Sequence, residues 1–403
     1  MKKMGPPAHV CAWRVPFPRK ASGMKNLTLP LLSLLLLLAS CRRQEAVRPD
    51  VSHAANELFK ESSPALSDTA SYSDTITIRY ARGLQVSYET DGIHVRISNP
   101  DPSVTNRQTE ELIVREPARR FICTTALQLG NFEVLGLEDC IVGMNSLRNL
   151  FSPRMKRQMQ DGTTVRIGKE GNFDLETVIA TRPDYIFVSA SKHGGFEVLR
   201  ECNIPLVSHH GYKETDPLGQ AEWIKLIGLL TGQTRRANAV FADIERKYLA
   251  LRDEVAQQDS LTLPTVVSGR QLRDGWYVAG GRSYLARLFH DAGARYVMSD
   301  NQDSGGRALD FEAVYARGLH ADFWQTDGSF DREFTLQTLA DEDPRYATMD
   351  AYRRGHVLFC NLARTPYREL AGVQPHLLLA DFVKAFHPEI LPDYVPTYYT
   401  FLK

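Results

Sequence analysis

Residues 215–257 read TDPLGQAEWIKLIGLLTGQTRRANAVFADIERKYLALRDEVAQ, and this stretch organises the chain. Asp216 suits an N-cap and Pro217 the first helical position. A first helix is expected to run to about Leu230, where Thr231-Gly232 supplies a stop signal. Thr234 is placed to cap a second helix reaching about Val255. Its apolar positions Ala237, Val240, Phe241, Ile244, Tyr248, Leu251 and Val255 recur at spacings of three and four. A helix of that length spans roughly 33 Å, the width of a small domain. Two α/β units flank it, so it reads as a stiff strut between lobes. The same pattern also fits an ordinary long amphipathic helix inside one large domain.

Working outward, strand and helix alternate on both sides of the strut. Before it, Arg120–Cys123, Ile141–Gly143, Tyr185–Val188 and Pro205–Val207 read as strands, with helices at Thr125–Leu137, Leu175–Ala180 and Gly195–Cys202. After it, Thr265–Val267, Trp276–Val278, Ala321–Trp324 and Val357–Cys360 read as strands. Helices are expected at Ser283–Gly293, Phe311–Gly318, Phe334–Ala340, Pro344–Arg354 and Pro375–Phe386. This alternation predicts parallel βαβ units. The fold class is therefore α/β: two Rossmann-like lobes, residues 117–214 and 258–403, joined by a long rigid backbone helix over 215–257. Residues 74–116 form an added N-terminal β-strand segment, where Asp91-Gly92 marks a turn.

The N-terminus is a processing signal. The apolar run Leu31–Leu38 follows a charged start, and translation is expected to begin at Met24. Leu38-Ala39-Ser40-Cys41 resembles a bacterial lipobox, which makes Cys41 the lipidated first residue of the mature chain and 41–73 its tether. Lys plus Arg and Asp plus Glu are both 48, so no basic excess points to nucleic acid. The four later cysteines, Cys123, Cys140, Cys202 and Cys360, allow either disulfides or buried thiols. The chain contains no P-loop, no G-x-G-x-x-G after a strand, no G-x-S-x-G and no H-E-x-x-H, so no catalytic residue, resident cofactor or metal site is expected. Gly280-Gly281-Arg282-Ser283 opens a helix and reads either as a tight turn or as an anion site.

Loops beyond the carboxyl ends of parallel strands face the ligand crevice. By that rule His193, His209 and Tyr212 are candidate cleft residues, with solvated loop histidines as the alternative; the basic cluster around Arg148 reads as an anion contact or as a charged surface loop. One internal similarity joins the lobes. NFDLETV at 172–178 and ALDFEAV at 308–314 both read Asp, apolar, Glu on a first helical turn, giving Glu176 and Glu312 matching positions.

Several stretches together resemble one family: Cys41 after its lipobox, GNFDLETVIATRPDYIFVS, TDPLGQAEWIKLIGLLTG, GWYVAGGRSYLARLFHDAGA and HPEILPDYVPTYY. Over about residues 110–403 the chain resembles the helical-backbone (class III) ABC-transporter substrate-binding lipoproteins of the iron-siderophore and vitamin B12 type. The resemblance implies a ligand held between the lobes, an ABC permease as partner and a lipid anchor on the membrane. It implies docking to the permease through Glu176 and Glu312. The expected cargo is a metal chelate, an iron-siderophore or haem, with cobalamin as alternative. Where the vitamin B12-binding relative has its cleft tryptophan this chain has Glu170, and Gly306 stands near the C-lobe counterpart, which weakens cobalamin. Trp276, Tyr277 and Arg282 join the expected ligand contacts. The protein is expected to act as a monomer at the periplasmic face. A stand-alone haem-capture lipoprotein and an exported enzyme that releases metal from a chelate are the rival readings.

Overall fold

The N-terminal lobe is built on Phe121–Cys123, a strand whose three residues are all buried. Such a continuous apolar run belongs inside a parallel sheet covered on both faces. The structure is a computed structural model that describes residues 57–59, 71–145, 150–169, 171–189, 195–258, 262–273 and 275–403. Cys41, Arg148, Glu170 and His193 lie outside the described residues. The N-lobe sheet runs Leu206–Ser208, Tyr185–Val188, Phe121–Cys123, Ile141–Met144, Val165–Arg166, and every pairing is parallel. Strand order reverses between Phe121–Cys123 and Tyr185–Val188, which makes a topological switch point.

The C-lobe repeats the plan. Arg295–Tyr296, Thr265–Ser268, Phe323–Gly328 and Val357–Asn361 are parallel neighbours, and Thr400–Phe401 closes the edge antiparallel. The expected strand at Trp276–Val278 exists, as Gly275–Ala279, but it leaves this sheet. It pairs antiparallel with Arg270–Leu272 and Gly306–Leu309 in a separate three-stranded sheet. The Asp-led helices match between lobes. Asp174 caps Leu175–Ala180 by accepting from the Thr177 amide, and Asp310 caps Phe311–Gly318 by accepting from the Ala313 amide.

The backbone stretch folds into three helices: Pro217–Glu222, Ile224–Thr231 and Thr234–Ala256. The expected single first helix is interrupted at Trp223, which ends one piece and starts the next. Thr234 is the first helical residue and not the cap; Gln233 precedes it without a side-chain bond. The long helix has 23 residues and buries the expected stripe of Ala237, Phe241, Ile244, Tyr248, Leu251 and Val255. Gly228 lets it approach closely, because a Cβ there would stand 2.3 Å from that of Ala237. Its start follows a helix that lies beside the N-lobe, where the Ala118 amide bonds the Leu230 carbonyl. It then packs on Pro375–Phe386 of the C-lobe, and Tyr248 donates to Asp291 at 2.7 Å. Apolar contacts run through these helices from one lobe to the other.

The N-terminal segment forms an antiparallel sheet of Leu84–Glu89, Gly92–Ser98 and Thr109–Val114. Ile76 and Ile78 form no strand; the strip around them is tied down by side chains instead. Glu222, fully buried, accepts from the amides of Arg79, Tyr80 and Ala81 and from Lys225. Glu214 accepts from the amides of Arg82 and Gly83 and from the Trp223 indole. Buried carboxylates persist only with such donors. The four later cysteines are free thiols. No helix among the described residues is long and apolar enough to cross a membrane.

Candidate functional site

Both lobes present strand ends to a shared cavity of about 500 Å³. Thr125, Ala126 and Leu127 reach it from the N-lobe, directly after Phe121–Cys123. Asp327 and Leu362 reach it from the C-lobe, at the ends of Phe323–Gly328 and Val357–Asn361. Gln220 of the backbone helices and Tyr284, Tyr367 and Arg368 complete the polar wall. Thr125 holds its loop by a capping box with Gln128, which starts the helix Ala126–Val134. A volume in this range, with few convergent polar groups, suits a small organic ligand.

The floor is a contact between lobes. Ala126–Val134 packs on the turn Tyr367–Ala371, and a Cβ on Gly130 would fall 1.7 Å from the Glu369 carbonyl oxygen. Glu369 is wholly buried and accepts from the Phe151 amide at 2.8 Å. Burial, with Glu369 and Glu138 nearby, raises the Glu133 carboxyl to about 7. Asp327 opens onto the cavity yet is crowded by wall atoms, which raises its carboxyl, while Arg270 and Arg368 pull it down. Burial raises the phenols of Tyr284 and Tyr367, so both stay neutral donors. The exposed Arg368 has no carboxylate in an ion pair among the described residues. Among its described lining residues the cleft offers one cation, neutral phenols and one carboxyl, a set suited to holding an oxygen-rich anion.

None of the described ligand candidates from the sequence lines this cleft. Trp276 is fully buried, its ring packed on Phe311, Trp324 and Tyr346 and its indole donating to the Ser268 carbonyl. It has no surface for a ligand. His209 is 1% exposed and lies against Trp223 and Phe187. Burial drops its pKa to about 3, so it is a neutral core group. Tyr212 is exposed with Lys213 over its ring, and Tyr277 is exposed on the small antiparallel sheet, close against Gly306. Arg282 lines a different cavity, beside Ser283 and Ala286 of the helix Tyr284–Asp291. The Trp223 and Phe187 rings cover the His209 end. The carboxyl-end rule applied to Thr125, Asp327 and Leu362 finds the cleft.

Glu176 and Glu312 are both exposed on first helical turns. Glu312 pairs with Arg345 at 2.6 Å, whereas Glu176 makes no ion pair among the described residues.

The model of a family described as periplasmic binding protein matches residues 122–361. An uncharacterized lipoprotein of Methanocaldococcus jannaschii is 23% identical over 323 residues, covering 76% of this chain and 75% of its own length. A cobalamin-binding protein of Halobacterium salinarum is 25% identical over 256 residues, 63% of this chain and 65% of that relative. A solved periplasmic haem-binding protein of Pseudomonas aeruginosa shares the fold with a TM-score of 0.56 at 20% identity, over 71% of this chain and 98% of that one.

Proposed function

The chain belongs to the periplasmic binding protein family, and from that premise we propose that it is the substrate-binding component of an ABC importer for an iron complex, haem or a ferric siderophore. The observation that carries this reading is the cavity between the lobes at the carboxyl ends of both sheets, with Arg368 on its wall. A guanidinium matches the carboxylate or catecholate oxygens of such chelates. The haem-binding neighbour shares the fold, which supports an iron complex. The cargo is bound at the membrane surface by a monomer tethered through lipid on Cys41, and it is not turned over.

Glu176 and Glu312 then serve as the two docking points on the permease, one per lobe. Arg345 holds Glu312 in the free protein and has to be replaced by a permease cation on docking. Their contribution is to orientation and encounter rate. Haemin titrated into the purified protein should give a saturable Soret change, and ferric hydroxamate should compete for the same cleft. The double variant Glu176→Ala, Glu312→Ala should keep this binding and lose at least tenfold in cellular uptake. Normal uptake in that variant would refute the docking assignment and favour a stand-alone capture lipoprotein.

Cobalamin is the second reading, favoured by the cobalamin-binding relative of Halobacterium salinarum. Cyanocobalamin in the same titration decides between the two.

A further inference from the structure

A second cavity, of about 520 Å³, lies apart from the cargo cleft. The helix Tyr284–Asp291 separates the two: Tyr284 lines the cleft, while Ser283, Ala286, Arg287 and His290 line this cavity. Arg82 comes from the N-terminal strip, Arg282 and Arg287 from the helix and its approach, and Arg295 from the sheet edge. Four arginines from three chain segments thus line one concavity. Arg287 is neutralised by Asp291, at 2.9 Å. Arg82, Arg282 and Arg295 have no carboxylate in an ion pair among the described residues.

Two carboxylates near Arg82 are already engaged. Asp216 lines the cavity but accepts from the Leu218 and Gly219 amides as an N-cap. Glu214 accepts from the Arg82 and Gly83 amides and the Trp223 indole. Elsewhere Arg79 pairs with Glu245, Arg317 with Asp300 and Arg270 with Glu342. The four arginines outnumber the nearby carboxylates Asp216, Asp291 and Glu214, and a bound anion relieves the remaining repulsion. The cavity wall also includes Gly281-Arg282-Ser283, the approach to a helix N-terminus, whose dipole favours negative charge.

We propose that this cavity is a second binding site, specific for a phosphate-type oxyanion and independent of the cargo cleft. Planar guanidiniums from several directions suit a tetrahedral oxyanion. Two sources carry that chemistry, free inorganic phosphate and the phosphodiester of an anionic lipid headgroup.

The test uses the full chain with Cys41→Ser, so that no lipid confuses it. Inorganic phosphate is titrated by calorimetry at constant ionic strength, and co-sedimentation is measured with phosphatidylglycerol and with phosphatidylcholine vesicles. The expected result is saturable phosphate binding that weakens at least tenfold in Arg82→Gln, Arg282→Gln with unchanged circular dichroism. Equally supportive is selective sedimentation with phosphatidylglycerol that the same variant abolishes, which identifies the lipid source. If that double variant unfolds, Arg295→Gln alone takes its place. The proposal is overturned if neither probe binds above chloride, or if binding survives the arginine substitutions. Haemin affinity should not move in any of them.

Discussion

Two kinds of strand end meet the surroundings differently in this molecule. Beyond Leu206–Ser208 the chain turns under Trp223, and His209 is sealed at 1% exposure. Beyond Phe121–Cys123 and Phe323–Gly328 the chain stays open, and Thr125 and Asp327 face the cleft. All are carboxyl ends of parallel strands, so topology alone does not select a binding site. Trp223, whose indole is fixed by Glu214, makes the difference. Glu214 and Glu222 accept from five backbone amides of the N-terminal strip, those of Arg79, Tyr80, Ala81, Arg82 and Gly83, and Lys225 donates to its Thr77 carbonyl.

The sealed side should break hardest. Glu222→Ala removes the acceptor for three amides and leaves Lys225 buried without its carboxylate. It should cost about 3–5 kcal/mol in urea unfolding, with Glu222→Gln costing less. On the open side the sensitive point is the lobe contact. Gly130→Ala drives a methyl into the Glu369 carbonyl and should cost about 1–3 kcal/mol.

Arg368→Ala should leave stability within about 0.5 kcal/mol, as for other surface changes. It should weaken the anionic cargo about tenfold, or about 1.4 kcal/mol, by titration. Tyr212→Ala, away from the cleft, should leave cargo affinity unchanged, and an equal loss there would erase the distinction between the two regions.

The smallest effect separates the carboxylates. Glu222 is fully bonded, whereas Glu133 Oε2 has no hydrogen-bond partner. The folded Glu133 carboxyl titrates at about 7, above its ordinary 4.5, so the folded state holds the proton more tightly. Its contribution to stability is complete below about 4.5 and is lost as pH rises through about 7. Glu133→Gln should flatten that part of the stability–pH profile, and an unchanged slope would remove the assignment.

Much of the fold was legible because it rests on local rules. Leu175–Ala180, Tyr185–Val188, Phe311–Gly318 and Pro375–Phe386 fall where their caps and apolar periods put them. The long helix followed from its apolar stripe, missing only its cap. The break at Trp223 was not legible, because that ring is claimed by Glu214 and His209 from outside the helix. Trp276, an expected ligand contact, was hidden for a similar reason: three rings from distant elements enclose it.

By itself, then, the sequence determined the α/β rhythm, the strut and the paired Asp-led helices, since each depends on neighbours within a few residues. Only the tertiary structure decided which strand ends stay open, and that placed Thr125, Asp327 and Arg368 in the cleft and His209 and Trp276 in the core. The physical reason is that exposure is set by what packs on top. Here the ring on His209 is that of Trp223, and it is held by Glu214, which also binds the Arg82 and Gly83 amides more than a hundred positions before the histidine.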